Sequence, residues 1–203
     1  DWDSVYWPAL GQKTVVVIFV RPMGGRVIDK LALKTKFNEY DIPRRIITPL
    51  ASTLKKLSDE DQAHRAIRPE NLLFLDERME EIALGPNVTA PPGYDQPMML
   101  EPLDRALAQT AGRGSGDARD DIYALGVTSL LLLLGHNPVA KMSDDELLRA
   151  RIEYGSYATV CGKARIPMQL IEPLRGMLAD DPSERWDFNE IDNNGVKVSL
   201  KGN

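Results

Sequence analysis

Within eight residues, His64-Arg65-Ala66-Ile67-Arg68-Pro69-Glu70-Asn71, the chain sets an imidazole, two guanidiniums, a carboxylate and a carboxamide. The apolar run Leu72-Leu73-Phe74-Leu75 comes directly after. A charged loop that feeds straight into a short buried strand is where a rigid scaffold presents chemistry. The groups suit anion binding and proton handling. Arginine forks onto phosphate or carboxylate, and a carboxylate acts as a base when it lies within hydrogen-bond reach of the proton. Ala66, in the middle of the loop, offers only a methyl group. A second short run, Ala83-Leu84-Gly85, has no side chain able to hold a metal, whereas Glu81 shares a strand face with Ala83.

The elements that must position these groups can be read outward from the loop. Ahead of it, Ile42, Ile46, Leu50, Leu54 and Leu57 recur at three- and four-residue steps and predict a helix, with Asp41 as its cap and Pro43 in its first turn. Behind it, Leu72 to Leu75 and Glu81 to Leu84 predict two short strands around an acidic turn. Asp121 opens the most apolar segment, whose run Val127 to Leu134 suits a helix buried on every side. Ser143-Asp144-Asp145-Glu146 is a capping box for a helix to about Glu153, and another helix lies between Pro167 and Leu178. Near the start, Lys13 to Val20 reads as a buried strand, residues 1–12 as an aromatic loop, and Arg21 to Gly25 as a turn or linker. The stretch Val27 to Tyr40 is mixed, Asn87 to Met99 is loop, and a short helix is expected from Leu103 to Gln109. Beyond Ile191 no element is assigned.

The 203 residues carry a net charge of −5 and a pI near 5.2, so no global field favours nucleic acid or an anionic membrane. The longest apolar run falls short of the roughly 18 residues that a membrane-spanning helix needs. Cys161 is the only cysteine, which leaves no intrachain disulfide and fits a reducing, cytoplasmic setting. The fold class expected is α+β, mainly α-helical.

Five elements in order make the chain resemble the protein kinase family, of the eukaryotic Ser/Thr type. His64 to Asn71 is similar to the catalytic loop H-R-D-x-x-x-x-N, with Ala66 at the aspartate. Ala83-Leu84-Gly85 stands at D-F-G, and Leu100-Glu101-Pro102 resembles A-P-E. Asp121 to Gly126 resembles the start of the buried central helix, and Asp181 to Trp186 a D-P-x-x-R-W element. The resemblance implies a kinase-like large lobe over 23–191, a remnant of small lobe and hinge over 1–22, and a tail over 192–203.

The same resemblance carries the functional expectations. The degenerate positions Ala66, Arg68, Asn71 and Ala83 leave no intact catalytic set, and no metal is expected. Arg68, Asn71 and Glu81 are the candidates for any cofactor contact. His64, Arg65, Gly85, Glu101, Asp121, Gly126 and Arg185 are expected to be structural, with Arg185 the partner of Glu101 and Asp121 tied to the loop backbone. The implied function is a pseudokinase: a silent protein-binding, scaffold or regulatory module with a protein partner and no cofactor. The alternative is an atypical Mg-ATP-dependent phosphotransferase or nucleotide-binding kinase domain, of the Ser/Thr type, with relocated metal ligands and a small lobe upstream of this chain. The sequence leaves the oligomeric state open.

Overall fold

The computed structural model describes residues 2–17, 22–32, 37–85, 96–109 and 114–199. Its centre is the helix Ala118–Leu134, here called α4, in which every residue from Asp120 to Leu132 is buried. That helix begins three residues earlier than Asp121. Asp117 caps it, accepting from the N–H groups of Arg119 and Asp120 at 2.8 and 3.3 Å, while the Asp120 carboxylate takes the Asp117 N–H at 3.0 Å. The reciprocal pair satisfies donors that a helix start leaves orphaned. Asp121 thus sits inside the first turn and faces the core.

The predicted helix ahead of the 64–71 loop forms in two parts, a π-helical stretch Ile42–Ile47 and an α-helix Thr48–Ser58, α2. Ile42, Ile46, Leu50 and Leu54 are all buried, as the periodicity requires. The wide first turn has a cause in Pro49. An α-helical proline has no N–H to give and its ring collides with the carbonyl four residues back; a wider turn relieves both. Accordingly the Thr48 N–H reaches the carbonyl of Pro43. Asp41 makes no cap bond with its side chain. Asn38 takes that role, its Oδ1 accepting from the N–H groups of Tyr40 and Asp41, both at 2.9 Å.

Two small antiparallel sheets complete the strand content among the described residues. Strands β1, Trp2–Trp7, and β2, Gln12–Val17, form a hairpin with Trp7 opposite Gln12. Residues 2–7 are therefore strand where a loop is expected; their aromatic and β-branched residues pair with β2, and residues 18–20 lie outside the description. The second sheet runs β3-β4-β5, from Gly25–Arg26, Leu72–Phe74 and Ile82–Leu84. The glycine stretch expected as a linker thus reaches into this sheet. A Cβ at Gly24 would stand 2.3 Å from the Asp76 carbonyl oxygen, so only glycine passes there.

The remaining helices are α1, Val27–Ala32; α3, Leu103–Ala106; α5, Asp144–Tyr154; α6, Ser156–Cys161; α7, Met168–Met177; and α8, Phe188–Ser199. Of these, α7 packs on α4, as α2 does. The capping box at Ser143 and Glu146 is present in both directions. Neither α6 nor α8 is expected from the sequence. In α8 another reciprocal cap, between Asp187 and Glu190 at 2.8 and 2.9 Å, starts the helix, and Phe188 and Ile191 bury its inner side. One core joins α2, α4, α7 and α8. No helix among the described residues is long and apolar enough to cross a membrane.

Candidate functional site

The loop 64–71 is held from beneath by α4. Asp121, 2% exposed, accepts the backbone N–H of His64 at 2.6 Å and of Arg65 at 2.7 Å. Seven residues on, two helical turns along the same face, the Thr128 hydroxyl donates to the Ile67 carbonyl at 3.0 Å. These bonds fix a backbone that an unsupported chain avoids, since Arg65 adopts a left-handed φ of 61°. Burial pushes the Asp121 carboxyl up to about 6, and the two N–H groups and the Arg65 charge pull against that rise.

The interior of the loop is filled rather than open. Ala66 is 1% exposed. The His64 ring is buried, and its Nδ1 accepts the Ala66 N–H at 3.3 Å. Burial lowers the His64 pKa, opposed by a bond to the Gly85 backbone. Asn71 donates from Nδ2 to the Ala66 carbonyl at 3.0 Å and takes the Gly85 N–H on its own backbone carbonyl at 2.7 Å. A Cβ at Gly85 would lie 2.3 Å from Asn71 Oδ1. The strand position beside the Asn71 amide is thus Gly85, whereas Ala83, the ligand position expected from the sequence, pairs with Leu73 further along β4.

A kinase that transfers phosphate holds magnesium and a nucleotide phosphate at this place, as the alternative reading requires. Magnesium favours carboxylate and phosphate oxygens in near-octahedral geometry. Ala66, Ala83, Leu84 and Gly85 supply no oxygen from a side chain, and Asn71 is neutral. Among the described residues no group of three or more His, Cys, Asp or Glu could hold a metal. The residues present do not fit the metal.

Nor do the two nearby glutamates make up the deficit. Glu81 is exposed at the foot of β5 and lines a 590 Å³ groove with Arg44, Arg45, Pro49 and Leu75, which contains no residue of the loop. Glu70 is exposed beside a separate cavity of 360 Å³, walled by Ile28, Pro69, Pro97, Met99, Leu100 and Leu131. Arg68 is half-buried. Thr89 and Tyr94, the two residues of the 87–99 loop expected as possible phosphorylation sites, lie outside the described residues.

A buried ionic frame surrounds the loop, and its pairing differs from expectation. Arg65 Nη2 bonds both oxygens of Glu101, at 2.8 and 2.7 Å, and Arg65 Nη1 bonds Asp120. Arg105 adds a contact to Asp120 at 3.1 Å. Burial raises the Asp120 pKa, and the Arg65 charge opposes it. The partner of Glu101 is therefore Arg65, where Arg185 is expected. Arg185 instead donates to the Ala179 carbonyl at 3.0 Å, meets Asp104 at 3.5 Å and stacks on Tyr123 with 5.5 Å between guanidinium carbon and ring centre. Glu101 comes straight after the turn Met98–Leu100, and its carboxylate lies on the loop's Arg65.

Sequence reasoning missed Asp120, Arg151 and Tyr123. Arg151 is 1% exposed, lies 5.3 Å over the Tyr123 ring, and donates to the Met98 carbonyl at 3.1 Å and to Ser156 Oγ at 2.8 Å. A usable signal exists for two of them. Asp120 doubles Asp121 at a helix start, and Arg151 stands four residues beyond Leu147 on the face that α5 buries.

No family model matches the chain. Curated proteins similar to it are Ser/Thr protein kinases. It is 25% identical over 176 residues to a calcium and calcium/calmodulin-dependent serine/threonine-protein kinase of Lotus japonicus, covering 83% of this chain and 33% of that protein. With ribosomal protein S6 kinase alpha-3 of Homo sapiens it shares 27% identity over 186 residues, 85% of this chain and 24% of the kinase. With calcium-dependent protein kinase 5 of Plasmodium falciparum it shares 28% over 149 residues, 66% and 24% respectively. The chain spans about a quarter to a third of the length of these relatives.

Proposed function

We propose that this chain, a protein kinase-like large lobe, serves as a catalytically silent module that binds or regulates another protein. One observation carries the reading. The loop that would present a catalytic base is built and held by Asp121 and Thr128, yet the residue it presents is the methyl group of Ala66. Phosphoryl transfer requires an acceptor to orient the substrate hydroxyl and carboxylates to hold magnesium. Ala66 and the run Ala83-Leu84-Gly85 provide neither.

The frame gives the proposal its positive content. Asp121, Arg65, Glu101 and Asp120 form a rigid buried core beneath the loop, and a mostly apolar cavity with Glu70 at its edge opens beside it. Such a surface suits protein recognition. The test is thermal unfolding of the purified chain with increasing Mg-ATP. Ligand that binds the folded state alone raises the melting temperature in a saturable way. The silent reading expects no such rise, and a saturable rise abolished by changing Asn71 to alanine would instead favour the phosphotransferase.

A further inference from the structure

We infer that the segment carrying Glu101 is clamped to the 64–71 loop by built-in carboxylates, so that its arrangement is set without phosphorylation. A phosphoryl group orders a segment by delivering acceptor oxygens to an arginine. Arg65 already has its acceptors. Both oxygens of Glu101 lie on Nη2 at 2.8 and 2.7 Å, and Asp120, from the first turn of α4, takes Nη1. Arg65, Glu101 and Asp120 are 3%, 1% and 4% exposed, so salt and water do little to loosen the clamp.

A second arginine holds the same segment from the other side. Arg151, from α5, donates to the Met98 carbonyl three residues before Glu101. Its guanidinium rests on Tyr123 of α4, two residues beyond the Asp120–Asp121 pair that grips the loop. The turn Met98–Leu100 is thus tied at both ends to one helix. It forms a wall of the 360 Å³ cavity through Met99 and Leu100, as Pro69 and Glu70 of the loop do. The clamp presets the shape of that cavity. Such regulation is independent of catalytic silence, and backbone protection reads it without any phosphate transfer.

Hydrogen exchange over residues 96–109 is the measurement, relative to the rest of the chain. Wild-type protein is compared in inorganic phosphate and in chloride at equal ionic strength, and with the variants Thr89→Glu and Tyr94→Glu. The expected result is unchanged protection in all of them. Glu101→Gln, which removes the clamp's charge, is expected to lower protection of this segment roughly tenfold or more. A specific gain in wild-type protection with phosphate or with either glutamate variant would overturn the inference. So would a Glu101→Gln protein as protected as wild type. If Glu101→Gln does not fold, the phosphate and Thr89→Glu arms decide the matter alone.

Discussion

Asp121 accepts the backbone N–H of Arg65 at 2.7 Å, and Arg65 is a non-glycine residue at a φ of 61°. The carboxylate and the strained backbone explain each other. A buried carboxylate needs donors, and the left-handed turn at Arg65 lets the N–H groups of His64 and Arg65 both reach it. The result is a fixed platform above α4. Arg65 uses its side chain for Glu101 and its backbone for Asp121, so one residue joins the loop, the helix and the segment 96–109.

Removing the Asp121 carboxylate should therefore unsettle more than one bond. Asp121→Ala leaves two buried N–H groups without an acceptor and releases the bend at Arg65. The expected loss is about 2–5 kcal/mol. Asp121→Asn keeps one acceptor oxygen and should lose about half as much. Urea unfolding of the three proteins checks the ranking, and an alanine variant as stable as wild type would refute the role given to this carboxylate.

The same group makes stability depend on pH, with a sign that differs from that of His64. Asp121 titrates at about 6 when folded and near 3.8 ordinarily. The folded state therefore holds its proton more tightly, and the stability this contributes is present below 3.8 and lost as pH rises through about 6. The advantage of wild type over Asp121→Asn should grow as pH falls from about 7 to about 4, by up to about 3 kcal/mol. His64 is lowered by burial from 6.5. Its contribution is present above 6.5 and lost as pH falls through the folded value, so wild type should lose ground to His64→Asn over the acid range. Unfolding curves at a series of pH values separate the two. Parallel curves for wild type and Asp121→Asn would contradict the first.

Much of this architecture is legible in the sequence, where local pattern and tertiary packing agree. The stripe Ile42, Ile46, Leu50 and Leu54 predicts its own burial, and Ser143 with Glu146 predicts its own cap. The pattern does not show the wide turn at Ile42–Ile47, because the apolar spacing is nearly the same with or without it; Pro49 holds the clue. The exchange of partners around Glu101 is less accessible still. Carboxylates and arginines from four separate stretches of chain meet around Asp120, and which pairs form depends on where the turn Met98–Leu100 ends. Strand β1 is hidden by Pro8 and Gly11, which mark its turn and not a loop along its whole length.

Two glycines should rank predictably on substitution by alanine. At Gly126 a Cβ would stand 2.9 Å from the Met177 Cβ, where α4 and α7 meet. At Gly176 it would stand 2.2 Å from the Trp186 ring. The first contact calls for a small parting of two helices, the second for displacement of a whole indole. Gly126→Ala should cost about 1–2 kcal/mol and Gly176→Ala about 2–3 kcal/mol or more. Chemical denaturation gives both values, and the reverse order would mean that Trp186 relocates easily.

The sharpest test of the silent reading restores the missing carboxylate. Ala66→Asp puts an acid at a site 1% exposed, beside the His64 ring and the Asn71 amide. Burying a carboxylate at so enclosed a site is unfavourable, so the variant should lose about 1–3 kcal/mol. It should gain no metal–nucleotide binding. A single carboxylate at 66 still has only Ala83, Leu84 and Gly85 to work with, and a second one placed at Gly85 would collide with Asn71 Oδ1. Thermal unfolding of Ala66→Asp with and without Mg-ATP reads both effects at once. A stabilisation that saturates with nucleotide in this variant would mean that Ala66 alone keeps the cleft silent, and that the loss at 83–85 matters far less than its chemistry suggests.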